Sequence, residues 1–247
     1  MRIIVRPTAF EAAEFGAAII ADLVQRMPAA VLGVATGSSP QPLYAALGSY
    51  AAAGLDFSAV TAFALDEYVG IDRAHPQSYH SVLHREVVRR LGLNPAAMNV
   101  PDGRADPVIA GAAYEAAIAA AGGIDLQILG IGSNGHLGFN EPGSSFASRT
   151  REVTLTARTR ADNRRFFGGD LNAVPLSAIT QGIGTILEAR TLLLVANGSA
   201  KAAAIAAAID GPLSPSCPAS AVQLHPNVTL LLDEASAALL APGGAVH

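Results

Sequence analysis

The chain has 247 residues, 51% of them hydrophobic and 15% charged, and a formal net charge of -4. This composition excludes a disordered or collagen-like chain, and no apolar run reaches the roughly 18–20 residues that a membrane-spanning helix needs. The acidic balance argues against a sequence-wide grip on nucleic acid, and the single cysteine, Cys217, excludes an intrachain disulfide and a cysteine-based zinc site.

In chain order, short apolar runs alternate with longer alanine-rich stretches. RIIVR, residues 2–6, predicts a first strand. Thr8 and Glu11 have the spacing of a capping box before a helix over 9–25. AVLGVA, 30–35, predicts a buried strand, after which Ser39 as cap and Pro40 as first helical residue open a helix to about residue 53. Strands are expected over 60–65, 124–131, 191–196 and 228–232, and helices over 77–91, 107–121 and 199–209. Uncharged strand cores separated by helices imply an α/β fold: a Rossmann-like, mostly parallel sheet with helices on both faces, in one domain over 1–247. Residues 149–180 break the rhythm, hold many arginines, and are expected to form a flap over the site. The segment MRIIVRPTAFEAAEF has acidic residues where a secretory leader needs an apolar core, so a cytoplasmic location is expected.

In such sheets ligands sit beyond the carboxyl ends of the strands. Four loops there carry chemistry. Thr36-Gly37-Ser38-Ser39-Pro40 fits an anion cradle at a helix N-terminus, and equally a plain strand–helix turn with a good cap. Asp66 and Glu67 alternate in direction at a strand end, so they do not share a proton; one of them can face the crevice as a base, although a solvated acidic turn or a helix cap is the simpler reading. The glycine-dense run from Gly130 to Gly143 holds Asn134, His136 and Glu141, with a histidine suited to proton transfer near neutral pH and an acid five residues on. Lys201 is the only lysine of 16 cationic residues, and it falls in a first helical turn, where a cation opposes the helix dipole at a cost of a few tenths to ~1 kcal/mol. A bound phosphate explains it; so does a lysine that points to solvent. His80 and His84 have the four-residue spacing of metal ligands but lack a third partner, and His225 before Pro226 reads as local structure.

Taken together, ATGSSPQPLY, ALDEYVGIDRAHPQSYHSVLHR, GIGSNGHLGFNEPGSSFASRTR, NRRFFGG, ITQGIGT, NGSAKA and AVQLHPNVTLLLDE resemble the glucosamine-6-phosphate deaminases, from near the N-terminus to about Glu234. The resemblance implies conversion of glucosamine 6-phosphate and water to fructose 6-phosphate and ammonia, without metal or organic cofactor. It implies that Asp66 is the base at C2 and C1, that His136 opens the ring with Glu141 as its acidic partner, and that Asn134 orients His136. Thr36, Gly37, Ser38, Arg165 and Lys201 fall where the family holds the substrate phosphate. Val153 stands where the allosteric type has a lysine in its regulatory phosphate site, while Ser144 and Arg151 are retained, so activation by N-acetylglucosamine 6-phosphate is not expected. The alternatives are a 6-phosphogluconolactonase-type hydrolase, whose loop would end in a Leu-Phe-Pro type sequence, a galactosamine 6-phosphate isomerase, and a non-catalytic sugar-phosphate sensor. A sensor of the repressor type needs a helix-turn-helix, for which a strand at Arg2 leaves no room. The expected partners are a small sugar phosphate and, at most, further copies of the chain; no nucleic acid or membrane is expected.

Overall fold

The apolar runs VLGV, TAFA, LQIL and LLLVA become β2 (Val31–Val34), β3 (Thr61–Ala64), β6 (Leu126–Leu129) and β9 (Leu192–Ala196) in the computed structural model, which describes residues 1–241. With β1 (Arg2–Arg6), β5 (Met98–Asn99) and β10 (Val228–Asp233) they form a seven-stranded sheet in the order β1-β10-β9-β6-β2-β3-β5. Every pairing in it is parallel. Side chains alternate between the faces of a strand, yet every residue of β2, β6 and β9 is buried, so both faces of the sheet are covered. The helices are α1 (Ala9–Arg26), α2 (Gln41–Ala52), α3 (Tyr79–Leu83), α4 (Arg89–Leu91), α5 (Pro107–Ala120), α6 (Ala157–Asn163), α7 (Ile183–Leu187), α8 (Ala202–Ile209) and α9 (Glu234–Ala237). At about 1.5–3 kcal/mol for each fully buried Leu, Ile or Val, strand residues such as Ile128, Leu129, Leu193 and Leu230 dominate the folding energy.

The expected strands and helices are present; β5, α7 and α9 are not among those expected, and there are four further differences. The helix expected over 77–91 begins at Tyr79 and widens into a π-turn at His84–Val88 before α4. Pro40, not Ser39, occupies the cap position of α2, and no side chain caps that helix. Residues Ser199–Lys201 form a short 3-10 turn ahead of α8. The fourth difference is a second, antiparallel sheet, β4-β8-β7, built from Asp66–Tyr68, Ser177–Thr180 and Arg151–Thr154. The irregular stretch 149–180 is therefore strand at both ends, and only the part between β7 and β8 is an excursion.

The small sheet has its own apolar cluster of Tyr68, Ile71, Phe139, Leu155 and Ala178, with Tyr79, Val153 and Phe167 packed against it. It lies where the main chain leaves β3. The parallel strands bring the loops after β2, β3, β6 and β9 to one edge. Chain order departs in opposite directions from β2 and β6, which makes their carboxyl ends the switch point.

Candidate active site

A cavity of about 500 Å³ opens at that switch point. Residues from all four loops line it: Thr36, Gly37 and Ser38; Asp66; Gly130 to Gly132, Ser133, His136 and Gly138; and Asn197, Ala200 and Lys201. The excursion between β7 and β8 supplies a further wall through Thr159, Asp162, Asn163, Arg165, Phe166 and Phe167, and Gln77, Tyr79, Val82 and Arg85 supply another.

Asp66 faces this cavity because of the register of β4. Asp66 pairs with Thr180 and Tyr68 with Ala178, so these two side chains share one side of the strand and Glu67 takes the other. The acidic pair is not a solvated turn; both carboxylates are buried, at 5% and 3% exposure. Glu67 is a helix cap: its Oε1 accepts the N–H groups of Tyr68 and Tyr79, and its Oε2 that of His80, each at 2.9 Å. Asp66 has no such partners. Burial, and then the charge of Glu67, hold its carboxyl well above the usual carboxylate range.

Across the cavity, two glycines bring the loop after β6 close. A Cβ on Gly132 would lie 2.3 Å from the His136 ring, and one on Gly138, at φ +55°, would lie 2.9 Å from Thr180 Oγ1 and 3.3 Å from Asp66 Oδ2. Hydrogen in place of these methyl groups lets the imidazole fold over its own loop and lets that loop approach the base. His136 Nδ1 is buried, has no hydrogen-bond partner among the described residues, and lies 3.8 Å from Glu141 Oε2. Burial lowers the affinity of this imidazole for a proton; the Glu141 charge opposes that effect. Asn134 does not bond the ring it was expected to orient. Its Oδ1 accepts the His136 backbone N–H at 3.2 Å, and its Nδ2 donates to Glu141 Oε2 at 2.7 Å. It ties the carboxylate, rather than the imidazole, to the loop.

At the other end, Thr36, Gly37 and Ser38 lie near Lys201 and Arg165. Lys201 does not point into open solvent. Burial and the nearby Arg165 guanidinium lower its proton affinity, while Asp162 raises it. Lys201, half-buried, and Arg165, exposed on the excursion, repel each other and favour an anion between them. Arg165 is braced by its neighbour, with Cζ 4.8 Å from the centre of the Phe166 ring.

The model of the family described as glucosamine-6-phosphate isomerases/6-phosphogluconolactonase matches residues 7–231. The chain belongs to this family. A glucosamine-6-phosphate deaminase of Streptomyces avermitilis is 54% identical over 242 residues, covering 97% of this chain and 93% of the relative. One from Mycolicibacterium smegmatis is 51% identical over 239 residues, covering 96% and 92%. A solved monomeric glucosamine-6-phosphate deaminase superposes with a TM-score of 0.93 at 39% identity, over 97% of this chain and all 100% of that one. The 6-phosphogluconolactonase of Trypanosoma brucei superposes with a TM-score of 0.77 over 97% and 98%, but at 19% identity, a likeness of fold alone.

Within this deaminase/lactonase fold, the cavity brings together Asp66, His136, Thr36, Gly37, Ser38, Arg165 and Lys201, with Asn134 and Glu141 tied behind His136. The histidines set aside in the sequence stay outside it. His225 is buried, with its ring nitrogens 3.1 and 2.7 Å from the Asn227 and Ala189 carbonyls, and His80 Nδ1 lies 3.3 Å from the Arg73 carbonyl. Sequence reasoning did not find the aromatic wall. The Tyr79 ring stacks on Phe139 at 5.9 Å and its hydroxyl lies 3.3 Å from that of Tyr68, which also accepts Asn163 Nδ2 at 3.0 Å. Nor did it find Thr156 and Thr159, whose hydroxyls reach Glu141. Tyr68 and Tyr79 stand within the family stretch ALDEYVGIDRAHPQSYHSVLHR, and that was the available signal.

Proposed function

We propose that the protein is a glucosamine-6-phosphate deaminase, converting glucosamine 6-phosphate and water to fructose 6-phosphate and ammonia. The observation that carries the reading is a buried, unpaired Asp66 in a cavity bounded by the His136–Glu141 pair at one end and by Lys201 and Arg165 at the other. The relatives at 51–54% identity bear this same activity in their names.

The residue roles follow from the chemistry. Thr36, Gly37, Ser38, Arg165 and Lys201 hold the phosphate, and this remote binding energy positions C1 and C2 against Asp66. His136, with Glu141 beside it, takes the proton from the C1 hydroxyl and delivers it to the ring oxygen, opening the ring to the aldehyde. Asp66 removes the C2 proton as the C2 ammonium group passes one of its own protons to the aldehyde oxygen, giving the neutral cis-enolamine. Asp66 then returns its proton to C1, which leaves a ketimine at C2. Water adds there and ammonia leaves. A base whose proton affinity is raised by burial suits a carbon acid next to a carbonyl, because its driving force exceeds that of an ordinary carboxylate.

A lactone hydrolase would need a water activated over a carbonyl and would have little use for Asp66. We read 1–247 as one working domain in the cytoplasm, with the excursion between β7 and β8 as the lid. Among the described residues no helix is long and apolar enough to cross a membrane. The test is ammonia release from glucosamine 6-phosphate, from galactosamine 6-phosphate, and lactone hydrolysis, assayed side by side. Release from the gluco substrate is expected; hydrolysis of the lactone alone would overturn the reading.

A further inference from the structure

Glu141 is held by more than the loop that carries it. Its Oε2 accepts Asn134 Nδ2 at 2.7 Å and faces His136 Nδ1 at 3.8 Å. Its Oε1 receives the Thr159 hydroxyl, and the Thr156 hydroxyl lies 3.1 Å from the same oxygen. Both threonines belong to the excursion between β7 and β8. Thr156 is the N-cap of α6, its Oγ1 accepting the Thr159 N–H at 3.1 Å, and Thr159 is in the first turn, 4% exposed.

A hydroxyl has one hydrogen and two lone pairs. The Thr159 hydrogen goes to Glu141, which leaves Thr159 Oγ1 free to accept the Thr156 hydrogen at 3.1 Å. The result is a short chain, Thr156 to Thr159 to Glu141, with Thr159 as the donor in contact with the carboxylate. Asn134 alone would fix one oxygen and leave the carboxylate free to pivot about it. A second anchor on the other oxygen removes that freedom. The Nδ1–Oε2 gap stands just outside hydrogen-bond reach, so a small rotation of Glu141 decides whether it can engage His136.

We infer that Thr159 is a positioning residue, which sets the Glu141 carboxylate against His136 from the helix that covers the cavity. The inference rests on the reading of Glu141 as the partner of His136 in ring opening. It adds that this machinery is completed by the excursion, not by the Gly130–Gly143 loop alone.

Thr159→Val is the test. It keeps the shape, removes the donor, and leaves the cap intact, since Thr156 Oγ1 still accepts the residue 159 N–H. Steady-state turnover of glucosamine 6-phosphate is measured for wild type, T159V, T159S, E141Q and E141Q/T159V. A misplaced catalytic group is expected to lower kcat about tenfold or more in T159V while KM stays within about threefold. T159S, which restores a hydroxyl, recovers most of that loss. E141Q/T159V is no more than about twofold slower than E141Q, because the two side chains act as one unit. Unchanged kcat in T159V, a change in KM alone, or losses that multiply in the double variant would overturn the assignment of Thr159. A wild-type protein that releases no ammonia would overturn the deaminase reading as well, which separates the two failures. If T159V melts below the assay temperature, T159S against T159A under conditions where both are folded gives the same comparison.

Discussion

Asp66 shows how one residue divides stability from function. It is buried, with no side-chain hydrogen-bond partner among the described residues, beside the charge of Glu67, and its folded carboxyl binds a proton more tightly than the unfolded one. Stability therefore falls as pH rises from the unfolded value through the folded one, and at neutral pH an ionised Asp66 is a net cost to the fold. The base works only when ionised, so the acid limb of kcat/KM is expected above the pH of an ordinary carboxylate. Asp66→Asn removes both effects. Turnover is expected to fall ~10²–10⁴-fold while the thermal midpoint at pH 7 rises. A variant that keeps more than about a tenth of the wild-type rate would show that the base lies elsewhere. Lys201 divides differently, since its burial is made good by ligand. Losing a charge-assisted contact of roughly 1.5–3 kcal/mol should raise KM for glucosamine 6-phosphate on the order of ten- to a hundredfold in Lys201→Ala, with a smaller change in kcat. Competition by inorganic phosphate, weakened in the variant, checks that the lost contact is to the phosphate. The lone lysine was legible in the sequence because it stands where the helix dipole disfavours it. Thr159 was not. In TLTARTR it reads as part of a helix cap, and only the fold brings its hydroxyl to a carboxylate 18 residues earlier.

Elements were legible in proportion to how much of their reason lies within themselves. β2, β6 and β9 are uncharged runs rich in Leu, Val and Ile whose burial on both faces follows from composition. β4 and β7 read DEY and REVT, short and polar, and they are strands only because β8 lies between them. That pairing is tertiary, so the antiparallel sheet left no period in the sequence. The π-turn at His84–Val88 likewise has no local signature. The junction of β4 and α3 is held by Glu67, which gathers three backbone N–H groups that no other side chain reaches. Glu67→Ala leaves those donors without a partner, at about 1–3 kcal/mol for a buried group left unsatisfied. The expected result is a loss of ~3 kcal/mol or more in urea unfolding, accompanied by lower activity because Tyr79 loses its anchor. Wild-type stability in Glu67→Ala would show that water replaces the carboxylate at no cost.

At the scale of the molecule the remaining question is whether a second site speaks to the first. A second cavity of about 440 Å³ lies on the far side of Glu141, lined by Ser144, Ser145, Ser148, Arg151, Val153 and Thr154. An anion there needs several converging cations or donors, since each exposed contact alone is weak. Arg151 is the one cation among those lining residues, and it is already engaged: Nη1 donates to Asn140 Oδ1 at 2.9 Å and to the Arg149 carbonyl at 3.2 Å. Its role is an amide contact to the loop behind His136, rather than an ion pair. Val153, which stands where the allosteric type has lysine, is partly buried and packs against the small apolar cluster, so its side chain is spent on the fold. Glu141 contributes a negative charge to the same wall. A sugar phosphate would thus meet one occupied guanidinium, an apolar surface and a carboxylate. Substrate saturation is expected to be near-hyperbolic, with little or no activation by N-acetylglucosamine 6-phosphate. Without such coupling a large symmetric assembly loses one of its advantages, and sedimentation is expected to report a monomer or small oligomer. The deciding measurement is a saturation curve with and without the effector. A Hill coefficient clearly above one that falls when N-acetylglucosamine 6-phosphate is added would mean that Ser144 and the backbone around Ser145 supply donors enough to replace the missing lysine.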